Sequence, residues 1–194
     1  MNIVLIGYRC SGKTSVGKLL AGELGREFVD LDALLEDHAG TSIESLVADR
    51  GWEFFRKLEH NLLAEVCRKD GLVIAPGGGA VIQQENVCLL RQNGFVVWLK
   101  GEARILRARM LKEEHAGKVR PSLTGSDSLA EIEEVLTLRT PLYHQAADLV
   151  VDTTDLSAEA VTRAIMGKLP VELRGNKRSL PETSASESLK LGGT

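Results

Sequence analysis

The sequence predicts an α/β fold: a three-layer sandwich in which a central parallel sheet carries helices on both faces. Three observations predict it. Short apolar runs recur at 2–6, 27–29, 72–75, 95–99 and 148–151, and a near-continuous apolar run is how a strand buried on both faces reads. Segments of helical periodicity lie between these runs, and alternating strands and helices imply parallel pairing. Between the first run and the first helical segment, Gly7-Tyr8-Arg9-Cys10-Ser11-Gly12-Lys13-Thr14 spells G-x-x-x-x-G-K-S/T. Strand, glycine loop, helix is the context in which that motif binds phosphate, the mark of a P-loop NTPase type of fold.

The elements can be justified in order. Asn2, Ile3, Val4, Leu5 and Ile6 form the first strand. In the loop, glycines let backbone N–H groups curl around phosphate oxygens with no Cβ in the way. Val16, Leu19, Leu20 and Leu24 then recur at helical spacing, and the N-terminus of that helix adds partial positive charge. Lys13 can reach the terminal phosphates, and the Thr14 hydroxyl can ligate Mg²⁺. Gly7, Cys10, Ser11, Gly12, Lys13, Thr14 and Ser15 are the expected nucleotide contacts. Cys10 reads either as a thiol of lowered pKa near a helix N-terminus or as a small filler of the loop.

The second strand leads into Phe28-Val29-Asp30-Leu31-Asp32. Period-two alternation would put Asp30 and Asp32 on one side, where one carboxylate can hold a Mg²⁺ hydration shell and the other accept a proton from a substrate hydroxyl. The alternative is that Asp32 caps a helix running through Leu34 and Leu35. Phe55, Leu58, Leu62 and Val66 form a helical stripe, and Arg56 with Glu59 has the spacing of an ion pair. The third strand ends in Pro76-Gly77-Gly78-Gly79 with no acidic residue, so the carboxylates must come from the second. Three glycines at a ligand-facing edge suggest a backbone pressed against a small substrate, against the alternative of a flexible loop.

After the fourth strand, the polar segment near 112–127 holds Gly117, Pro121 and Gly125. It reads as a solvated loop or as a lid that excludes water from a transferred phosphoryl group. Arg56, Arg107, Arg109, Arg120 and Arg139 are singly solvated surface charges; gathered near the strand ends they would form a pocket for a small carboxylate and a triphosphate. Ile132, Val135, Leu136 and Leu142 mark most of another helical stripe. The domain is expected to span 1–169, with the Ser-, Glu-, Lys- and Gly-rich 170–194 as a disordered tail.

Composition narrows the function classes. With 194 residues and 43% hydrophobic content, the chain suits one globular domain. A formal net charge of -3 argues against a general nucleic-acid binder. Cys10, Cys67 and Cys88 form no C-x-x-C pair, which fits a reducing cytoplasm, and the four histidines have no metal-ligand spacing. No apolar run approaches transmembrane length. The first strand begins at residue 2, so no leader is expected ahead of it.

Taken together, these motifs resemble those of shikimate kinases. The resemblance covers roughly the first 169 residues, in order: the phosphate loop, Phe28-x-Asp30-x-Asp32, Phe55-Arg56-x-x-Glu59, Gly77-Gly78-Gly79-Ala80, Arg120-Pro121 and Arg139-x-Pro141-Leu142-Tyr143. It implies a nucleoside-monophosphate-kinase-like fold and ATP-dependent phosphorylation of the 3-hydroxyl of shikimate by a monomer. It also implies roles. Asp32 would contact the substrate hydroxyls and act as base. Arg56 and Arg139 would hold the carboxylate, with Gly77, Gly78 and Gly79 closing the pocket. Thr14 would ligate Mg²⁺ directly and Asp30 through water. Lys13 and Arg120 would stabilise phosphate charge, and Arg109 would stack near adenine. The loop Thr153-Thr154-Asp155-Leu156 lacks the basic residue sought on the adenine side.

Two other readings compete. A gluconate or nucleoside-monophosphate kinase would need a different acceptor pocket. A GTPase switch would use Asp37-His38-Ala39-Gly40 as D-x-x-G, yet no N-K-x-D sequence accompanies it.

Overall fold

A computed structural model describes residues 1–115 and 129–174. Five strands, β1 (Asn2–Ile6), β2 (Phe28–Asp30), β3 (Val73–Ala75), β4 (Gly94–Lys100) and β5 (Leu149–Asp152), form one sheet in the order β2-β3-β1-β4-β5. Every pairing is parallel, with Ile3 opposite Val73 on one side of β1 and opposite Phe95 on the other. The helices are α1 (Lys13–Leu24), α2 (Leu31–Ala39), α3 (Ile43–Cys67), α4 (Gln84–Asn93), α5 (Ala103–His115), α6 (Leu129–Ala146) and α7 (Ala158–Lys168).

Strand alternation builds the three layers. Val4, Ile6, Ile74, Val96 and Trp98 face a core shared with α2, α3, α4 and α6. Ile3, Leu5, Val73, Val97, Leu99 and Val151 face the opposite core, against α1 and α7. Every one of these strand residues is buried, so the runs are apolar throughout. The chain goes from β1 to the edge strand β2, returns to β3 beside β1, and crosses to β4 on the other side. The direction of winding reverses at β1, and a parallel sheet opens a crevice at such a point, beyond the strand carboxyl ends.

Two expectations and two alternative readings need correction. Asp30 and Asp32 do not alternate along one strand: β2 stops at Asp30, and Asp32 lies in the first turn of α2. Asp30, rather than Asp32, is the cap, its Oδ1 accepting the Asp32 N–H at 3.2 Å. Asp37-His38-Ala39-Gly40 is the end of a helix rather than a switch loop, since Gly40 is the left-handed C-cap of α2 at φ 67°. The ordered domain also continues past Leu169. Val171–Leu173 form a single 3-10 turn, and Leu173 is buried in the α1/α7 core. Arg26 ties this segment down, donating to the Leu173 carbonyl at 3.0 Å and the Met1 carbonyl at 3.1 Å. A lone leucine in a polar stretch gave no sign of this. Within the segment near 112–127, residues 112–115 complete α5; the rest, Arg120 included, lies outside the described residues, as do 175–194.

No helix among the described residues is long and apolar enough to cross a membrane. The corrected boundary has a consequence for truncation. A chain ended after Leu169 loses the burial of Leu173, about 1.5–3 kcal/mol, together with an Arg26 hydrogen bond. Its thermal midpoint should fall by roughly 4–10 °C. A chain ended after Arg174 keeps both and should melt as the full chain does, which calorimetry of the two truncations checks.

Candidate active site

The phosphate loop occupies the crevice between β1 and α1. Gly7 has φ 148° and lies so close to β4 that a Cβ would stand 2.5 Å from the Leu99 carbonyl oxygen, which no side chain tolerates. Gly12 caps α1 at φ 98°. Cys10 between them is the one non-glycine residue at positive φ among the described residues, at 59°. The Lys13 ammonium bends back over the loop and donates to the carbonyls of Gly7 at 2.9 Å and Tyr8 at 3.0 Å. The Ser11 Oγ is buried with no hydrogen-bond partner among the described residues. A hydroxyl left unpaired in a phosphate-binding loop at a helix N-terminus fits a phosphate oxygen as its partner.

A cleft of about 610 Å³ extends from this loop between α2, α3 and α6. Thr14, Ser15, Asp30, Asp32, Arg56, Glu59, Gly77, Gly78, Gly79 and Arg139 all line it, with Tyr8, Arg9, Trp52 and Phe55. Cys10, Gly12 and Lys13 line a smaller recess that shares Thr14, Asp30 and Asp32. Most of the residues singled out in the sequence are thus brought together; Arg107 and Arg109 line neither space. Asp30 and Asp32 reach one cleft from the end of β2 and the start of α2, respectively.

The side of the cleft away from the phosphate loop is built from α3, the glycine loop and α6. Arg56 is ion-paired with Glu59 one turn on. Glu59 is 1% exposed, and burial pushes its carboxyl above the usual range, with Arg56 opposing that shift and the Asp32 carboxylate adding to it. A Cβ on Gly77 would stand 2.6 Å from the Glu59 Oε1 and 2.9 Å from the Asp32 Oδ1. One on Gly78 would stand 3.2 Å from the Arg9 backbone nitrogen, and one on Gly79 would stand 3.0 Å from the Arg56 Cζ. Each glycine therefore makes room for a different neighbour: two carboxylates, the phosphate loop and a guanidinium. Arg139 Nη1 donates to the Gly78 carbonyl at 3.3 Å.

Thr14 Oγ1 donates to Asp30 Oδ2 at 2.7 Å, placing a hydroxyl and a carboxylate side by side at the start of α1. No group of three or more His, Cys, Asp or Glu side chains suited to a metal occurs among the described residues. Mg²⁺ needs no such cage, because it binds through one or two protein oxygens plus water and substrate phosphates. The Thr14–Asp30 pair fits it. On the far side, Arg109 grips the loop after β5, donating to Thr153 Oγ1 at 3.2 Å and to the Thr153 carbonyl at 2.6 Å. Sequence reading assigned this loop no role; it holds the guanidinium by a hydroxyl and a carbonyl rather than by a basic residue. Tyr8, Arg9 and Trp52 were also missed as cleft residues, the first two because they occupy the variable positions of the motif.

Comparison with known proteins gives the family. The family model described as shikimate kinase matches residues 9–170. The chain belongs to the shikimate kinase family. It is 44% identical to a shikimate kinase of Symbiobacterium thermophilum over 170 residues, 87% of this chain and 96% of that protein. It is 42% identical to one of Nitratidesulfovibrio vulgaris, over 77% of this chain and 85% of that protein. Among solved structures it resembles the Acinetobacter baumannii shikimate kinase in complex with shikimate, with TM-score 0.80 and 33% identity over 87% of this chain and 95% of that one.

The position of Gly79 makes a clean test of the acceptor side. A methyl group there must displace the Arg56 guanidinium, which is the flexible end of a long side chain, so folding should survive. Gly79→Ala is expected to keep its thermal midpoint within a few degrees and to raise the KM of the acceptor on the order of tenfold, about 1.4 kcal/mol. Steady-state kinetics beside a melting curve reads both.

Proposed function

We propose that this chain transfers the γ-phosphoryl group of ATP to the 3-hydroxyl of shikimate, giving shikimate 3-phosphate and ADP on the route to chorismate and aromatic amino acids. One observation carries the reading: Arg56 and Arg139 converge with the glycine loop in the same cleft as Asp32 and the phosphate loop. Two guanidinium forks suit a carboxylate. A carboxylate facing them suits a hydroxyl, and the phosphate loop beside both suits the phosphoryl donor. Family membership supports the same substrate pair.

The acceptor carboxylate binds Arg56 and Arg139, which leaves its ring hydroxyls toward Asp32. Asp32 takes the proton of the attacking hydroxyl as the new O–P bond forms and the bond from the γ-phosphorus to the bridging oxygen of ADP breaks. ADP departs with that oxygen, and the proton passes from Asp32 to solvent. Lys13 exchanges the loop carbonyls it now holds for phosphate oxygens, where its charge offsets what develops in transfer. Arg120 is assigned the same task, and Arg109 the adenine side. Thr14, and Asp30 through water, would hold Mg²⁺, which when bound neutralises charge on the phosphates. We place the enzyme in the cytoplasm as a monomer acting on free metabolites, without nucleic-acid or membrane partners.

The test is ADP release with ATP, Mg²⁺ and one acceptor at a time: shikimate, quinate, gluconate, AMP or none. Turnover with shikimate should far exceed the others, because the wrong acceptor leaves charges unpaired. Equal rates with and without acceptor, or a preference for gluconate or AMP, would overturn the reading. Lys13→Ala should lose turnover on the order of a hundredfold or more. Asp32→Asn should keep the fold and lose the base, so turnover retained alongside a sharply lowered melting point would make Asp32 structural. Truncating Arg56 or Arg139 to Ala should weaken shikimate binding by about 2–5 kcal/mol while ATP affinity barely moves.

A further inference from the structure

Part of the acceptor pocket wall is bare backbone, and its direction is set from behind. The Gly78 carbonyl accepts a hydrogen bond from the Tyr143 hydroxyl at 2.5 Å and a longer one from Arg139 at 3.3 Å. All described peptide bonds are trans. In a planar trans peptide the C=O and the following N–H point in opposite directions. Tyr143 is 1% exposed and sits behind the loop, outside the residues that line the cleft. Anchoring the Gly78 oxygen on Tyr143 therefore turns the Gly79 N–H forward. Among the described residues no carbonyl accepts from that N–H.

We infer that Tyr143 is a positioning residue for the acceptor: its hydroxyl fixes the Gly78–Gly79 peptide so that the Gly79 N–H is presented to an acceptor oxygen. The inference rests on the acceptor site proposed above. Tyr143 is itself immobile, stacked on Trp98 with ring centroids 5.7 Å apart and planes at 22°. Burial pushes its pKa up to about 12, so the hydroxyl keeps its proton and remains a donor at neutral pH. Arg139 cannot substitute for it, because the same guanidinium lines the cleft and is engaged by the acceptor carboxylate.

The downstream end of the loop is pinned independently. Asn86, fully buried on α4, donates to the Ala80 carbonyl at 3.1 Å and to Gln83 Oε1 at 3.2 Å, and its amide oxygen faces His60 Nδ1 at 2.7 Å. Both amide hydrogens are spent, so the oxygen is the acceptor and His60 carries its hydrogen on Nδ1. Ala80 in turn donates its N–H to the Gly77 carbonyl at 3.0 Å, so Tyr143 acts on a Gly78–Gly79 peptide that lies between two anchored points.

The test is Tyr143→Phe in the full chain, which removes one oxygen and keeps the stack on Trp98. The KM for shikimate is expected to rise roughly three- to tenfold, the worth of one buried hydrogen bond, with the KM for ATP within twofold of wild type. Trp98→Phe serves as the comparison. It thins the packing beneath Tyr143 but leaves the hydroxyl, and should lower the melting point without moving the shikimate KM. An unchanged shikimate KM in Tyr143→Phe overturns the inference, as does a parallel rise in the KM for ATP or an equal rise in Trp98→Phe. Wild-type kinetics separate the two levels. No shikimate turnover by the wild-type chain overturns the proposed function and this inference with it, whereas normal wild-type turnover with an unmoved variant KM overturns this inference alone.

Discussion

The active site depends on one close approach, that of the glycine loop against the phosphate loop. Gly78 stands against the backbone of Gly7, Tyr8 and Arg9, and a side chain on it would meet Gly7 O at 3.3 Å and Arg9 N at 3.2 Å. Both loops leave adjacent parallel strands at the same edge, so the sheet brings them near, and a Cβ on Gly78 would force the phosphate-loop backbone to give way by a few tenths of an ångström. From that contact the rest follows. On the proposed assignment the donor phosphate lies on one loop and the acceptor against the other, so backbone rather than flexible side chains would set the distance between reacting groups. Rigid placement of this kind is where much of the rate of phosphoryl transfer arises, since the protein has little covalent chemistry to perform.

Around the glycine loop, opposite charges are set against each other. Arg56 and Arg139 bring two positive charges, Glu59 and Asp32 two negative ones. Glu59 is buried, and its ion pair with Arg56 draws the fork toward one side of the cleft without locking the long side chain in place. Asp30 does comparable work at the other end of the cleft. It caps α2, which carries Asp32, and accepts from Thr14 on the phosphate loop. One carboxylate thereby joins the helix of the candidate base to the donor loop.

The layers of the fold were legible because burial on both faces of a parallel strand leaves no polar positions, and the phosphate loop because its glycines and lysine have a fixed order. Asp30 and Asp32 were found for the wrong reason. Alternation along a strand pointed to one face, but the chain turns into a helix after Asp30, and the two carboxylates reach one cleft by a cap and a first turn. Arg56 and Arg139 lie far apart in sequence, and only the fold, or likeness to a family, brings them together. The Tyr143–Gly78 and Asn86–Ala80 contacts left no local mark, since each joins a side chain to a backbone carbonyl whose partner the sequence does not encode. The domain end was misplaced because composition averages over a window and hides one leucine with a pocket waiting for it.

Arg26 has a consequence for how this chain could be rewired. By gripping the carbonyls of Met1 and Leu173 at once, it brings the first residue and the end of the described fold to a single point. That point lies at the amino edge of the sheet, ahead of β1 and β2, and the described residues assigned to chemistry are at the carboxyl edge. With 175–194 removed, adjacent ends of this sort are what circular permutation needs. A short linker from Arg174 to Met1 would close the backbone into a ring without crossing the cleft, so new ends could be opened in a surface connection with the catalytic edge left intact.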